Sequence, residues 1–459
     1  MTTKSPTHNR WSSNFSFVLA ATAAAVGLGN IWKFPYIMGE NGGGAFVLVY
    51  LLFIFLIGVP VLMAEVLIGR RGRASPGYAV RKLAKESNVH SGWQVTGWLG
   101  MFAGFMILSF YAVIAGWAIS YMVKAAQGTF FSGISESEIG NVFSSMVSNS
   151  NELILFTSIM IVGTVIVVGK GFKSGLERAV TFLMPMLLLL LIIIAIYAAK
   201  IGDFNTAAQF IFKPDFGNLT SQGILIALGH SFFTLSLASG VMIIYGAYVP
   251  RETSIVRTSI WIALADTIVA IIAGLAIFPI VFGFGLQPGE GPGLIFQTLP
   301  IAFSAMPASS LVATVFFLML VLAAFTSAIS MIEASVAFVE EKFKTTRWTA
   351  AIASGVVLWT VSLGTVFSLS GAAWAKIDWV IFGKELPTIF SAIDHIASNI
   401  LLPIGGLLAA VFTGWIMKKH FTTDELNTSP LAYFVWQVCV RYLAPVAIII
   451  IFLQLIGLI

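Results

Sequence analysis

The stretch AAAVGLGN at residues 23–30 interrupts an apolar run that extends from Phe15 to Ile37. Two glycines and an asparagine in the middle of a membrane-length segment lower its helix propensity, and lipid offers freed backbone groups no hydrogen-bond partner. Such a break is tolerated where the backbone faces protein, a cavity or a bound solute. A second break, TLSLASG at residues 234–240, follows five apolar segments later. A pair of interrupted helices in corresponding halves of a chain indicates the binding site of a secondary transporter.

Apolar segments of membrane-spanning length recur along the chain. Hydrophobic residues make up 58% of the 459 residues and charged residues 10%, a composition typical of integral membrane proteins. We therefore predict an all-α integral membrane protein with 11 transmembrane helices and a single transmembrane domain over residues 1–459. Segments long enough to cross about 30 Å of hydrocarbon lie near residues 13–37, 43–69, 93–123, 153–169, 178–199, 221–248, 257–285, 311–339, 349–370, 388–416 and 434–458.

The distribution of positive charge predicts the orientation in the membrane. Most of the 25 lysines and arginines lie in segments that face inward if the amino terminus is cytoplasmic, as the positive-inside rule expects. We therefore place the protein in the cell's inner (plasma) membrane, with a cytoplasmic amino terminus and an extracellular or periplasmic carboxyl terminus. This bias also explains the net charge of +5, so no nucleic-acid partner is needed.

The two interrupted segments run in opposite directions, because an odd number of crossings separates them. Spans one to five and six to ten thus form two units of opposite orientation, at about residues 12–200 and 220–417, followed by an extra helix at about 434–458. This 5+5 inverted repeat with discontinuous helices 1 and 6 predicts alternating access to a site near the membrane midplane. Glycine is common in membrane helices anyway, so the breaks alone leave ordinary packing open.

Few side chains inside the predicted spans ionise. Each such group costs at least about 2.5–3.5 kcal/mol in hydrocarbon, so each is a candidate for function. None of their groupings resembles a catalytic triad, a metalloprotease helix or a phosphate-binding loop, so we predict no enzymatic activity. Two adjacent hydroxyls, Thr326 and Ser327, are either cation ligands or back-bonded to their own helix. The ionisable residues are Lys33, Glu65, His230, Asp266, Glu333 and Asp394.

These motifs resemble those of the neurotransmitter:sodium symporter family. The resemblance covers essentially the whole chain and is closest to the prokaryotic branch of eleven-span amino-acid transporters, which includes the bacterial leucine transporter. It implies that family's fold and a small amino-acid-like substrate. The matching residues are Trp11, the runs 25–30 and 40–46, Phe34-Pro35, the run 232–236 and the run 323–327.

The resemblance implies two sodium sites, taken over position by position. The first would use the carbonyl of Ala25 and the side chains of Asn30, Thr234 and Asp266, together with the substrate carboxylate. The second would use the carbonyls of Ala23, Val26 and Ala323 and the hydroxyls of Thr326 and Ser327. Asp266 stands where the family usually has asparagine, and Ala270 replaces a chloride ligand. We therefore expect Asp266 to supply the negative charge of chloride, and we expect no chloride requirement.

The resemblance also implies a substrate pocket. The carboxylate would meet the amides of Leu28 and Gly29 and the Tyr111 hydroxyl. Gly27 stands where amine-transporting relatives carry aspartate, which favours an amino acid. The amino group would meet the carbonyls of Ala25, Phe233 and Thr234 and the hydroxyl of Ser236. The side chain would be enclosed by Ile107, Tyr111, Phe233, Ser236, Ser239, Ser327, Ser330 and Met331.

Two gates are implied as well. The outer gate would pair Lys33 with Asp394, where relatives have an arginine–aspartate pair, and His230 would lie near it. The inner gate would pair Arg10 with Glu341, close to Trp11 and Tyr248; Glu340 is an alternative acid. Glu65 is expected to cap free amides around Ala238 to Gly240, and the role of Glu333 is open.

The sequence thus predicts a Na+-coupled symporter that takes up a small amino acid. Three alternatives remain open: uptake of a taurine-like or other zwitterionic osmolyte, a gated channel, and a non-transporting sensor on the same scaffold. Neither the substrate nor the oligomeric state follows from the sequence.

Overall fold

Long apolar helices dominate the fold. The structure is a computed structural model that describes residues 10–130, 134–286 and 293–458. Within these ranges, nine helices are long and apolar enough to cross a membrane, and the bent pair Asn14–Ala25 and Gly29–Glu40 adds a tenth if it forms one span. The predicted all-α membrane fold is confirmed, while the total of eleven spans stays a prediction.

Most of the helices are regular, and short π-helical turns interrupt several of them. The α-helices are α1 (Asn14–Ala25), α2 (Phe34–Glu40), α3 (Gly44–Phe53), α4 (Val59–Gly72), α5 (Pro76–Glu86), α6 (Val95–Ala126), α7 (Glu136–Ser148), α8 (Ser150–Gly169), α9 (Arg178–Ile201), α10 (Phe204–Phe212), α11 (Ser221–Thr234), α12 (Val241–Ala247), α13 (Ile255–Gly283), α14 (Leu299–Ser304), α15 (Ser309–Phe343), α16 (Arg347–Leu369), α17 (Ile389–Asp394), α18 (Leu402–Val411), α19 (Lys419–Leu426), α20 (Pro430–Val438) and α21 (Ala444–Leu455). The π-helical turns are Gly29–Lys33, Ile54–Gly58, Phe172–Glu177, Leu294–Thr298, His395–Leu401, Phe412–Ile416 and Cys439–Leu443.

The first helix breaks where the sequence predicts. Helix α1 ends at Ala25, and Val26 turns to an extended backbone with ψ 104°. The chain resumes as the π-helical turn Gly29–Lys33 and continues into α2. The two halves are bent by 56°. The expected interruption in residues 23–30 is therefore present.

The second predicted break separates α11 from α12. Between them Ser236, Ala238 and Gly240 have φ values of 53°, 60° and 76°, a left-handed conformation that side chains with a Cβ disfavour. The freed N–H of Ala238 donates to Glu65 Oε1 at 2.6 Å. This bond confirms that Glu65 caps the broken segment. It also satisfies a backbone group that lipid would leave unpaired.

Neither half of the sixth predicted span can cross a membrane alone. Helix α11 has 14 residues and α12 has 7, so even α11 extends only about 21 Å at 1.5 Å per residue. A crossing here needs both halves and the irregular link between them. The predicted bounds 221–248 agree with the combined unit.

The two breaks meet at the centre of the helix bundle. Helix α1 packs against α13 and α15, and α15 packs along α6. Helix α12 packs against α4, which carries Glu65. The hydroxyl of Ser236, in the second break, donates to the carbonyl of Ala24, at the end of α1, at 2.9 Å. This packing brings backbone groups that leave the regular helices at the two breaks next to one another.

Short elements connect the long helices, and the hydrophobic runs did not predict them. Helices α5, α10 and α19 are examples. Strands β1 (Lys376–Ile381) and β2 (Lys384–Thr388) form an antiparallel hairpin. Its turn places Phe382 and Gly383 at φ 50° and 77°. These elements carry too few apolar residues to be detected as spans.

Candidate functional site

A small cavity lies between the two helix breaks. Its volume is about 50 Å³. Helices α6 and α15 complete its walls, and hydroxyl groups lie among the apolar lining. The lining residues are Ala24, Ala25, Gly27, Gly29, Ile107, Tyr111, Phe233, Thr234, Ser236, Leu237, Ser239, Ser327, Met331 and Leu402. Eleven of these fourteen were predicted for the substrate pocket; Ala24, Leu237 and Leu402 were not.

Two residues predicted for the pocket lie beside it instead. The backbone N–H of Leu28, the group predicted to meet the substrate, donates to Tyr111 Oη at 3.3 Å. Ser330 is fully buried and donates to the Thr326 carbonyl at 2.8 Å. It also accepts a 2.6 Å hydrogen bond from the hydroxyl of Tyr245 on α12. Ser330 therefore joins α15 to α12 behind the cavity.

One end of the cavity suits an anion. The second half of the broken first helix, Gly29–Glu40, begins there. Helix amino termini present free N–H groups and a partial positive charge, which favour a carboxylate. The Tyr111 hydroxyl lies against this end and, while accepting from Leu28, keeps its own proton to donate. The N–H of Leu28 is itself bonded to Tyr111 in this structure, so the carboxylate contacts stay a prediction.

Gly27 borders the cavity in a position that a larger residue would fill. A Cβ atom at Gly27 would lie 2.7 Å from Ser327 Oγ and 2.8 Å from Tyr111 Oη. Both distances are shorter than van der Waals contact, so any side chain there displaces a polar group of the pocket. Glycine at position 27 thus keeps the space between α6 and α15 open.

The side chains predicted for the first sodium site form one buried cluster. Asn30 Nδ2 donates to Asp266 Oδ1 at 2.7 Å, and Thr234 Oγ1 donates to Asp266 Oδ2 at 2.8 Å. Asn30 Nδ2 also lies 3.2 Å from Thr234 Oγ1. All three side chains are at most 1% exposed. Their oxygens, with the nearby carbonyl end of α1, are the hard ligands that Na+ prefers.

The groups predicted for the second sodium site are also close together. Ser327 Oγ donates to the carbonyls of Ala23 at 3.4 Å and Val26 at 3.3 Å. Thr326 Oγ1 donates to the Ala323 carbonyl at 3.1 Å. The hydroxyls thus contact both their own helix and the broken end of α1. Both readings of the Thr326–Ser327 pair, helix back-bonding and ligand cluster, fit this geometry.

The residues predicted for the outer gate do not form an ion pair. Lys33 Nζ lies 4.5 Å from the centre of the Phe233 ring, a cation–π contact. Asp394 accepts a 2.9 Å hydrogen bond from Ser398 on its own helical segment. His230 is buried and stacks against Phe34 at 5.7 Å. The Lys33–Asp394 gate therefore stays a prediction.

The residues predicted for the inner gate have different partners in this structure from those predicted. Glu341 accepts from the backbone N–H of Ser75 at 3.0 Å, and Arg10 forms no ion pair with it. Trp11 is buried as expected, and its indole N–H donates to the Tyr245 carbonyl at 3.2 Å. The Trp11 backbone N–H donates to the Tyr248 carbonyl at 3.1 Å.

Two residues of this gate were missed by the sequence reasoning. Glu177 accepts from the N–H of Ser12 at 2.8 Å and from its hydroxyl at 3.1 Å. Arg347 forms ion pairs with Glu333 and Glu340. The hydroxyl of Tyr248 donates to Glu333 at 2.8 Å, which settles the open role of Glu333 as part of this network. Glu177 lies among the charged residues of the segment 170–178 between two apolar runs, so nothing in the sequence distinguishes it from its neighbours.

The fold and the site together define a class of protein. Two helices that break beside a central cavity, with clusters of buried oxygen atoms around it, are the architecture of a secondary transporter. Among the described residues, no grouping of three or more His, Cys, Asp or Glu side chains suits a transition-metal centre.

Comparison with known proteins identifies the family. The sequence profile of the sodium:neurotransmitter symporter family matches residues 8–135 and 129–458. An uncharacterized sodium-dependent transporter of Bacillus subtilis, YhdH, is 39% identical over 98% of both chains. A Haemophilus influenzae sodium-dependent transporter is 34% identical over 99% of both. The crystal structure of MhsT in complex with L-phenylalanine matches with a TM-score of 0.87 and 39% identity, covering 97% of this chain and 99% of MhsT.

This protein belongs to the sodium:neurotransmitter symporter family. It is a sodium-dependent, multi-pass membrane transporter. The resemblance seen in the sequence is thereby confirmed, and the relatives are transporters rather than enzymes.

Proposed function

We propose that this protein takes up a small amino acid together with Na+ by alternating access. The observation that carries the proposal is the meeting of two helix breaks around a cavity with a carboxylate-binding end. The two donors proposed for the α-carboxylate, the Leu28 N–H and the Tyr111 hydroxyl, lie 3.3 Å apart at that end. The solved relative MhsT was crystallised with L-phenylalanine, which supports an amino acid as the substrate class.

The substrate's polar ends would be held by opposite kinds of backbone group. Its carboxylate would accept hydrogen bonds from the amides of Leu28 and Gly29 and from the Tyr111 hydroxyl. Its ammonium group would donate to the carbonyls of Ala25, Phe233 and Thr234 and to the Ser236 hydroxyl. The substrate's side chain would extend into the rest of the cavity between the breaks. Ser239 and Met331 would surround that side chain, and both line the cavity.

Two Na+ ions would bind around the substrate. The first would lie among Ala25, Asn30, Thr234 and Asp266, with the substrate carboxylate completing its shell. This shared carboxylate would couple sodium binding to substrate binding directly. The second would lie among Ala23, Val26, Ala323, Thr326 and Ser327, where it would fasten α1 to α15.

The first site would need no chloride. Asp266 brings a carboxyl group within hydrogen-bond distance of both Asn30 and Thr234, and it would ionise when Na+ binds. A carboxylate in that position balances the charge of Na+ as chloride would. Ala270, also buried on α13, offers no oxygen ligand of its own.

The membrane potential would supply much of the driving force. Two sodium charges that cross 100 mV release about 4.6 kcal/mol, enough for accumulation on the order of a thousandfold. Inward transport of this kind fits the proposed orientation in the plasma membrane, with a cytoplasmic amino terminus and an external carboxyl terminus. The two repeats, about 12–200 and 220–417, would move relative to each other around the site.

A competition assay in proteoliposomes tests the proposal. Uptake of labelled alanine would be measured with an inward Na+ gradient, with K+ in its place, and with gluconate replacing chloride. Glycine, leucine, phenylalanine and taurine would serve as competitors. We expect saturable, Na+-dependent and chloride-independent uptake that small amino acids inhibit best. Strongest inhibition by taurine would support an osmolyte carrier instead, and flux without saturation would support a channel. Binding of labelled alanine without net uptake would indicate a sensor.

A further inference from the structure

An apolar groove lies on the outer face of the bundle, away from the transport cavity. It is formed between α6, α15 and the start of α16, and its volume is about 460 Å³. Its lining is almost entirely apolar at the surface. The lining residues are Met101, Phe102, Phe105, Ser335, Phe338, Val339, Phe343, Thr345, Thr349, Ala353, Ser354 and Val357.

A lysine is held at one end of this groove. Lys342 Nζ lies 5.4 Å from the ring centre of Phe338 and 5.5 Å from that of Phe343. Both rings line the groove, so the ammonium group is positioned over its mouth. Phe338 is itself fixed by Trp98, whose ring packs edge-on at 4.8 Å. The cation therefore has a defined place beside the apolar lining.

The neighbouring acids do not neutralise this lysine. Glu340 forms an ion pair with Arg347, and Glu341 accepts from the Ser75 backbone. Among the described residues, no carboxylate forms an ion pair with Lys342 or with Lys344, the next cation along the chain. Both lysine side chains are exposed. A positive charge without an ion-pair partner thus lies at the end of the apolar groove.

We propose that this groove binds an anionic phospholipid. One acyl chain would lie along α6, α15 and α16, and the headgroup phosphate would pair with Lys342. Charge complementarity favours this occupant. The groove has a long apolar surface with a cation at one end, and an anionic phospholipid has long apolar chains with a negative headgroup at one end. Lys342 lies in the last turn of α15, which ends at Phe343, beyond the apolar part of the helix. Anionic headgroups concentrate around basic residues at the ends of membrane helices.

Native mass spectrometry of the full chain tests this assignment. The detergent-purified protein would be mixed with equal amounts of phosphatidylglycerol and phosphatidylcholine, and the retained lipids counted. We expect wild type to retain one phosphatidylglycerol in preference to phosphatidylcholine. Lys342→Gln should reduce that preference about fivefold, the factor that corresponds to one surface lysine, while phosphatidylcholine still binds.

Two further variants distinguish the contribution of the lysine charge from that of the apolar groove. Ala353→Trp fills the groove from an exposed position and should abolish retention of both lipids. Lys384→Gln, an exposed lysine on strand β2, should behave as wild type. Equal retention of the two lipids by wild type, an unchanged preference in Lys342→Gln, or normal retention in Ala353→Trp would each overturn the proposal. So would a dimer that Ala353→Trp dissociates, because a second copy would then occupy the groove. The readout is lipid binding, so it stands apart from the transport assay.

Discussion

Ser12 and Glu177 fasten the start of α1 to the start of the fifth membrane helix. Ser12 donates from its backbone N–H and its hydroxyl to the two carboxylate oxygens of Glu177, at 2.8 Å and 3.1 Å. Glu177 closes the π-helical turn Phe172–Glu177, and the Trp11 ring packs edge-on against Phe172 at 4.6 Å. These contacts hold the half-helix that carries part of the predicted second sodium site. We infer that this half-helix moves away only after Ser12 leaves Glu177.

We expect Glu177→Gln to loosen the first half-helix. The amide keeps one acceptor but loses the charge, and a hydrogen bond to a charged group contributes about 1.5–3 kcal/mol. A loss of about 1.4 kcal/mol would raise the open population roughly tenfold. The measurement is the rate at which a thiol reagent labels Thr22→Cys, a position buried on α1. The background would be Cys439→Ala, which removes the one native cysteine.

Two comparisons make that experiment specific. Glu252→Gln removes an exposed acid that precedes α13 and should leave the labelling rate unchanged. Glu177→Asp keeps the charge and should restore slow labelling at least in part. Equal labelling of Glu177→Gln and its parent would show that the contact does not restrain α1.

Asp266→Asn should make transport respond to chloride. The substitution removes the carboxyl group next to Asn30 and Thr234, so Na+ in the first predicted site would lose its balancing anion. We expect uptake to fall by about tenfold or more, in line with the loss of a charged hydrogen-bond network, and added chloride to restore part of it. Uptake would be compared in chloride and gluconate buffers. Asp215→Asn, an exposed position, is the matched control. Strict chloride dependence of the wild-type protein would contradict the charge-replacement argument.

Gly27→Asp should abolish binding of amino acids. Its Cβ would approach Ser327 Oγ and Tyr111 Oη within 2.8 Å, and its carboxylate would repel that of the substrate. Gly27→Ala introduces the crowding without the charge and should keep measurable, weakened binding. Equilibrium binding of labelled alanine to purified protein, with a thermal melt as a check on folding, compares the two. Wild-type affinity in a folded Gly27→Asp variant would show that position 27 does not face the substrate.

The sequence was sufficient to locate both helix breaks and the residues around them. The signals are local: the glycines at 27, 29 and 240 and the hydroxyl side chains in the run 234–240. Their effect on a helix depends only on residue type and on the surrounding lipid. The clustering of Asn30, Thr234 and Asp266 followed from resemblance to a family whose motifs span the chain. The prediction of each helix break depends on properties that one segment carries by itself.

The pairing of charges could not be predicted in the same way. Lys33 contacts Phe233 rather than Asp394, and Glu341 holds a backbone amide rather than Arg10. Several acids lie within reach of the inner end of the bundle, and the choice among them depends on sub-ångström packing between helices that are distant in sequence. Composition places charges at the ends of spans, but it does not select their partners.

Arg70 and Glu425 form a buried ion pair that should dominate stability at this end of the bundle. Arg70 Nε lies 2.6 Å from Glu425 Oε2, and Arg70 is 4% exposed. Its guanidinium also donates to the Thr253 carbonyl at 2.5 Å, so it joins α4, α19 and the segment before α13. Removal of one partner of such a pair leaves an uncompensated buried charge, which costs about 3–5 kcal/mol.

A double-mutant cycle with apparent melting temperature as its readout tests this. Glu425→Leu should lower the melting temperature strongly, because it strands the Arg70 charge. Arg70→Met should lower it less, because Glu425 keeps Arg71 as a partner at 3.6 Å. The double variant should melt above at least one single variant, since a buried pair replaced by apolar residues loses its desolvation penalty as well as its attraction. Arg257→Gln, an exposed position on α13, should change the melting temperature little. Additive losses in the double variant would mean that Arg70 acts through its carbonyl contacts and not through Glu425.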